Sequence, residues 1–148
     1  MSRDRAKRQA AEVVRDCIAT RLRMANRVVT KVYDDALRPL GLTVSQMALL
    51  AVAEDGGLIR QSEVGAQLQL DDSTLSRNLE RMQSNGWLVE VSEGDARVHS
   101  YGLTETGRAL LDKAVPRWRD AQGEARHLLG DTGVRALRRF ARERGFGT

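Results

Sequence analysis

Between Leu42 and Thr104 the apolar pattern changes period, and that change constrains the fold more than any other feature of the chain. Thr43 and Gln46 stand at capping-box spacing and open a short apolar helix that Gly56 and Gly57 close. A second short helix is predicted from Gln61 to Leu68, with Val64 and Leu68 inward. Asp71 or Asp72 caps a third, in which Leu75, Leu79 and Met82 make the inward stripe and Asn85-Gly86 ends it. The segments 87–91 and 97–103 are rich in Val, Trp and Tyr, flank Ser92-Glu93-Gly94-Asp95, and read as a β-hairpin. Two short helices joined by a tight polar turn and followed at once by a hairpin make the winged helix-turn-helix plan, in which the second of those helices enters the major groove of DNA.

Helices flank this segment on both sides. Over residues 8–37, Val14, Ile18, Leu22, Ala25, Val29, Val32 and Ala36 recur at steps of three and four, one face of a helix of about 45 Å that Pro39 and Gly41 stop. Thr104 caps a helix carrying Leu110, Leu111, Ala114, Val115, Trp118, Ala121, Ala125 and Leu128, and Pro116 inside it predicts a kink near Lys113. Gly130-Asp131 separates a last helix with Val134, Leu137 and Phe140 inward and Arg135, Arg138, Arg139 and Arg142 outward. The expected fold is mainly α with a small β-hairpin wing: a winged helix-turn-helix lobe over 41–104, a dimerisation helix over 1–40 and dimerisation helices over 105–148. The apolar stripe of the first helix is longer than one small lobe can cover, so a second copy is expected to bury it.

At 148 residues, 41% hydrophobic and 30% charged, the chain has the size and composition of one small domain with helical extensions, and disorder or collagen is excluded. The longest purely apolar run, 47–53, is far short of the ~20 residues that cross a bilayer, and the arginine-rich start lacks a signal-peptide core, so no membrane partner and a cytoplasmic location are expected. Cys17 is the only cysteine and has no intrachain disulfide partner. Two distant histidines and one cysteine offer no zinc spacing. Phosphate-loop, nucleophile-elbow and dinucleotide motifs are absent as well, so neither an enzyme nor a cofactor is expected.

The net charge of +4 is unevenly spread: residues 1–40 balance at +5, 41–100 at −5 and 101–148 at +4. The proposed reading lobe is therefore acidic, and contact with DNA must rest on local placement of Arg60, Arg77, Arg81 and Arg97, assisted by basic ends. On the helix after Asp71, the inward stripe leaves Ser73, Thr74, Ser76, Arg77, Asn78 and Arg81 on other faces. Short hydroxyls near a helix start can donate to phosphates, while Arg and Asn bind guanine and adenine edges with paired hydrogen bonds, which makes Arg77 the best candidate for base readout. The competing reading is the solvated side of an amphipathic helix, and the hairpin that follows favours the former. His99 is placed on the second wing strand, either against phosphate or simply exposed.

Leu42-Thr43, Leu70-Asp71-Asp72-Ser73-Thr74-Leu75-Ser76-Arg77, Asn85-Gly86-Trp87-Leu88, Asp95-Ala96-Arg97 and Leu103-Thr104-Glu105-Thr106-Gly107, in this helix order, resemble the MarR family of bacterial transcription regulators. The resemblance covers almost the whole chain. It implies a homodimer made by the first and last helices, with two winged lobes reading a pseudo-palindromic double-stranded DNA operator, and a repressor that a small aromatic or phenolic ligand releases. By the same resemblance Arg97 enters the minor groove at the wing tip and Asp95 orients it. The wing departs from the family pattern in having no cation before Arg97, and Arg60 stands where a Thr or Ser cap is common.

The resemblance also implies a ligand pocket between the dimer helices and the winged lobe, with Arg21, Met24, Tyr33 and Met47 as liners by position. Some members of the family sense hydroperoxides through a cysteine in the first helix. Here Cys17 is read first as a small packed residue, since nothing nearby in sequence obviously stabilises a thiolate and Tyr33 is about 24 Å away along a helix. Two alternatives to the ligand-gated regulator stand: an oxidant sensor working through Cys17, and a winged-helix interaction module that does not bind DNA, which the acidic middle third favours.

Overall fold

The structure is a computed structural model that describes residues 3–145. Its elements are α1 (Arg3–Asp16), α2 (Ile18–Leu37), a 3-10 turn (Arg38–Leu40), α3 (Val44–Gly56), β1 (Ile59–Arg60), α4 (Gln61–Leu68), α5 (Asp72–Ser84), β2 (Leu88–Val91), β3 (Ser100–Leu103) and α6 (Glu105–Glu143). The backbone divides into two units, Met1–Lys31 and Val32–Thr148. Among the described residues no single helix is long and apolar enough to cross a membrane.

The first unit holds α1 and most of α2. Where the apolar period predicts one uninterrupted helix, regular geometry lapses at Cys17, although the Cys17 N–H still donates to the Val13 carbonyl at 3.1 Å and the Arg21 N–H to the Cys17 carbonyl at 3.2 Å. The apolar stripe is there but uncovered: Val14 is 82% and Ile18 73% exposed, and α1 buries no residue.

The second unit is built on one core. Leu49, Leu50 and Ala53 of α3, Val64 of α4, Leu75, Leu79 and Met82 of α5, Leu88 of β2, and Leu111 and Ala114 of α6 are buried together. The capping box predicted at Thr43 is formed: the Gln46 N–H donates to Thr43 Oγ1 at 3.2 Å, and the Thr43 N–H donates to Gln46 Oε1 at 3.1 Å. Gly57, at φ 78°, ends α3 in a conformation that favours glycine.

The wing is a three-stranded antiparallel sheet in the order β1-β3-β2. Arg60 and Val91 both pair with Ser100, which puts Ser100 on the central strand. The hairpin prediction extends too far at 97–99, because the loop continues to His99 and β3 begins at Ser100. His99 therefore lies just before the strand, where its carbonyl accepts the Gln61 N–H at 3.0 Å.

The break in α6 falls at Gly130, with φ 67° and ψ 166°, as the Gly130-Asp131 pair suggests. No departure from helical dihedrals accompanies Pro116 or Lys113. Pro116 removes the donor that would reach the carbonyl of Asp112, and both residues lie on the exposed side, where water can take that donor's place. Leu137 and Phe140, expected inward, are 49% and 56% exposed in the single chain.

Candidate nucleic-acid interface

Asp71 rather than Asp72 caps α5. Its Oδ1 accepts the Thr74 N–H at 2.9 Å and the Ser73 hydroxyl at 2.7 Å, while Oδ2 accepts the Thr74 hydroxyl at 2.6 Å. These donors, Thr74 above all, hold the Asp71 carboxyl well below its usual pKa. The arrangement fixes the start of the helix and draws the hydroxyl protons of Ser73 and Thr74 towards Asp71. Their oxygens remain as acceptors.

Beyond the cap, the buried stripe of Leu75, Leu79 and Met82 sets the rotation of α5, leaving Ser76, Arg77 and Arg81 exposed and Asn78 half-buried. Ser76 Oγ accepts from Gln61 Nε2 at 3.1 Å, and the Gln61 side chain in turn accepts the Tyr101 hydroxyl at 3.5 Å. Asn78 Oδ1 accepts from the buried Gln46 Nε2 at 3.4 Å, leaving its own amide hydrogens available. Neither Arg77 nor Arg81 forms an ion pair among the described residues. The two arginines thus present free guanidinium groups on one exposed helix.

The wing carries a third exposed guanidinium, this one paired with a neighbouring carboxylate. The Arg97 side chain is 91% exposed, and its N–H and Nε both reach Asp95 Oδ1, at 3.0 and 3.4 Å. Asp95 therefore aims Arg97 outward as well as turning the loop, where the Val98 N–H donates to the Asp95 carbonyl at 3.0 Å.

Arg60 is placed differently from the other candidates. It is the N-cap of α4 without a side-chain cap bond, and its Nε and Nη2 donate to Glu93 at 3.0 and 2.8 Å. Ser100 Oγ donates to the same carboxylate. Arg60, then Ser100, lower the Glu93 pKa to about 2, and Glu93 raises that of Arg60. His99 Nδ1 stands 2.8 Å from Glu90 Oε1. Sequence reasoning missed Glu93 because its partner lies 33 residues away, beyond any local pattern; Gln61 was missed because its role follows from the register of β1 and β3.

The proposed ligand liners fall in both units, Arg21 and Met24 in the first and Tyr33 and Met47 in the second. Met47 does line an apolar groove of about 610 Å³ between α3 and α6, with Ala51, Leu111, Val115 and Trp118, and with Glu54, Asp55 and Arg119 at its polar edge. Tyr33 instead donates its hydroxyl to Gln122, and burial raises its pKa. Arg21 donates to the Arg15 carbonyl within the first unit, where Met24 is exposed. Cys17 is half-buried, and the Thr20 hydroxyl and N–H lower its pKa. That stabilising group is three residues along the helix, a signal the sequence carried and the reading overlooked.

A model of the MarR family matches residues 40–98. The organic hydroperoxide resistance transcriptional regulator of Bacillus subtilis is 35% identical over 62% of this chain and 63% of its own length. The chain spans 55% to 63% of the first three curated relatives that it matches. Among solved structures, the Mycobacterium tuberculosis transcriptional regulator MosR in complex with DNA is 36% identical, with a TM-score of 0.75 over 88% of this chain and 97% of that one. A MarR-family regulator from Rhodococcus sp. RHA1 is 28% identical, with a TM-score of 0.76 over 90% of this chain and 95% of that one.

Proposed function

Because this chain belongs to the MarR family, whose members are transcription regulators and not enzymes, we propose that it is a cytoplasmic, homodimeric repressor that reads a pseudo-palindromic operator and releases it on binding a small aromatic or phenolic ligand. The observation that carries this reading is the pairing of exposed, unbridged Arg77 and Arg81 on α5 with the outward Arg97 of the wing. On this reading α5 lies in the major groove. Arg77 donates to a guanine edge, Asn78 offers its amide hydrogens, and Arg81 meets phosphate. Arg97 enters the minor groove, where the negative potential favours a guanidinium. Arg60 contributes less than a free arginine would, since Glu93 already neutralises it.

The partner copy supplies cover for Val14, Ile18 and Leu22 in the first unit and for Leu137 and Phe140 in the second. The groove against Leu111 and Trp118 is the ligand site, apolar enough for an aromatic ring, with Arg119 to face an acid. Titration of a duplex from upstream of the chain's own gene at several salt concentrations tests the DNA reading. Nanomolar binding with a shallow log–log slope is expected, because few cations line the lobe; equal affinity for an unrelated duplex would overturn it.

A second reading is favoured by the surroundings of Cys17. Lowered by Thr20, the thiolate attacks a hydroperoxide oxygen, giving a sulfenic acid and, with one proton, the alcohol. The relative that shares 35% identity is named for organic hydroperoxide resistance. A Cys17→Ser chain that binds DNA normally but keeps its grip under organic hydroperoxide supports this reading; unchanged release in that variant rules it out.

A further inference from the structure

The wing loop is eight residues long, between the end of β2 at Val91 and the start of β3 at Ser100, and side chains add to the pairing of Val91 with Ser100 that closes its base. Glu90 and His99 face one another across it at 2.8 Å. Glu93 reaches past the central strand to Arg60 on β1, accepting two guanidinium hydrogen bonds at 3.0 and 2.8 Å and the hydroxyl of fully buried Ser100. One carboxylate, only 23% exposed, thereby ties the loop to both other strands of the sheet and to the N-cap residue of α4. Arg97 is four residues further on, and within the loop it is held by Asp95 alone.

We propose that Glu93 is a positioning residue for DNA readout, acting through Arg97: its clamp on Arg60 and Ser100 fixes the direction in which the wing tip is presented relative to α5. The proposal rests on the DNA-reading function above. An unclamped loop of this length samples many directions, and the entropy of ordering it is then charged to binding. The carboxylate itself belongs to the fold and needs no contact with DNA. Glu93 also carries a negative charge towards a polyanion, so a role as simple neutraliser of Arg60 predicts the opposite sign on removal.

Two measurements on the full chain test this. Hydrogen exchange of the Arg97 and Val98 amides, whose acceptors both lie on Asp95, reads loop order without DNA. Glu93→Ala is expected to speed their exchange several-fold, with Glu93→Gln intermediate, while amides of α5 and α6 keep wild-type protection. Unchanged exchange at Arg97 and Val98, or equal acceleration throughout the chain, overturns the proposal whether or not DNA binds. The second measurement is a double-mutant cycle on a selected duplex. Glu93→Ala is expected to weaken binding roughly 3- to 10-fold in the wild-type background and less than about 2-fold when Arg97 is already Ala. Equal losses in both backgrounds, or tighter binding by Glu93→Ala, contradict action through Arg97. If the wild-type chain binds no duplex selectively, the DNA reading itself fails, and the exchange result alone decides whether Glu93 orders the wing.

Discussion

Gly107 lies directly under the carbonyl of Trp87: a methyl group at Gly107 would come within 2.2 Å of that oxygen and 2.7 Å of a methyl of Leu103. The close approach is held from both sides. The Thr104 N–H donates to the Trp87 carbonyl at 3.1 Å, and the Gly107 N–H donates to Thr104 Oγ1 at 3.0 Å. The Leu-Thr-x-x-Gly motif is therefore a joint in which the helix start packs on the end of α5 and the entry to the wing. Gly107→Ala is expected to destabilise the fold by about 1–3 kcal/mol, the range for overpacking a tight site, although alanine is the better helix former. Chemical denaturation of the two proteins checks this.

The contribution of Asp71 and Glu93 to stability should be constant around neutral pH and decline in acid. Asp71 and Glu93 have pKa values below their ordinary 3.8 and 4.5, so what they contribute is complete above those values and is lost as pH falls, for Glu93 through about 2. Asn is as good an N-cap as Asp and does not titrate. Asp71→Asn should match wild type in thermal melts at pH 7 and fall less between pH 4.5 and pH 3. A parallel fall in both proteins would assign the acid sensitivity elsewhere.

The chain should not be a monomer at micromolar concentration. Light scattering is expected to give twice the 16.4 kDa of one chain. Replacing Leu137 and Phe140 together by Glu, at positions exposed in the single chain, should give monomers that keep the helix content of the lobe.

Filling the groove should separate ligand binding from DNA binding. A phenolic acid that raises the melting temperature of the wild-type chain by mass action should fail to do so with Ala51→Trp, because the indole occupies the space between α3 and α6. Without ligand, duplex affinity should stay within about 2-fold of wild type, since on this reading no groove residue contacts DNA, and the phenolic acid should no longer release the variant from the duplex.

What was legible in the sequence was local. Thr43 with Gln46, the Asp71-Asp72 pair, and Gly130 each announce an element end through a residue type whose capping or φ preference acts within a turn, and the structure has Thr43, Asp71 and Gly130 in those roles. The stripe of Leu75, Leu79 and Met82 likewise fixed the buried face of α5. β1 escaped notice because two residues show no period; only the pairing of Ile59 and Arg60 with Tyr101 and Ser100 defines it. Glu93 looked like a loop charge for the same reason, its meaning residing in Arg60.

The central claim is that α5 and the wing read DNA together, with Arg77 specifying bases and Arg97 sensing the minor groove. Selection from a random duplex pool by the wild-type, Arg77→Ala and Arg97→Ala chains tests it most directly. The wild-type chain should enrich a pseudo-palindrome with half-sites about 10 bp apart centre to centre. Arg77→Ala should lose preference at one position per half-site, worth about 1–3 kcal/mol, and Arg97→Ala should keep that position while losing affinity and A·T preference beside it. Enrichment of one and the same motif with equal affinity by all three chains would contradict the account.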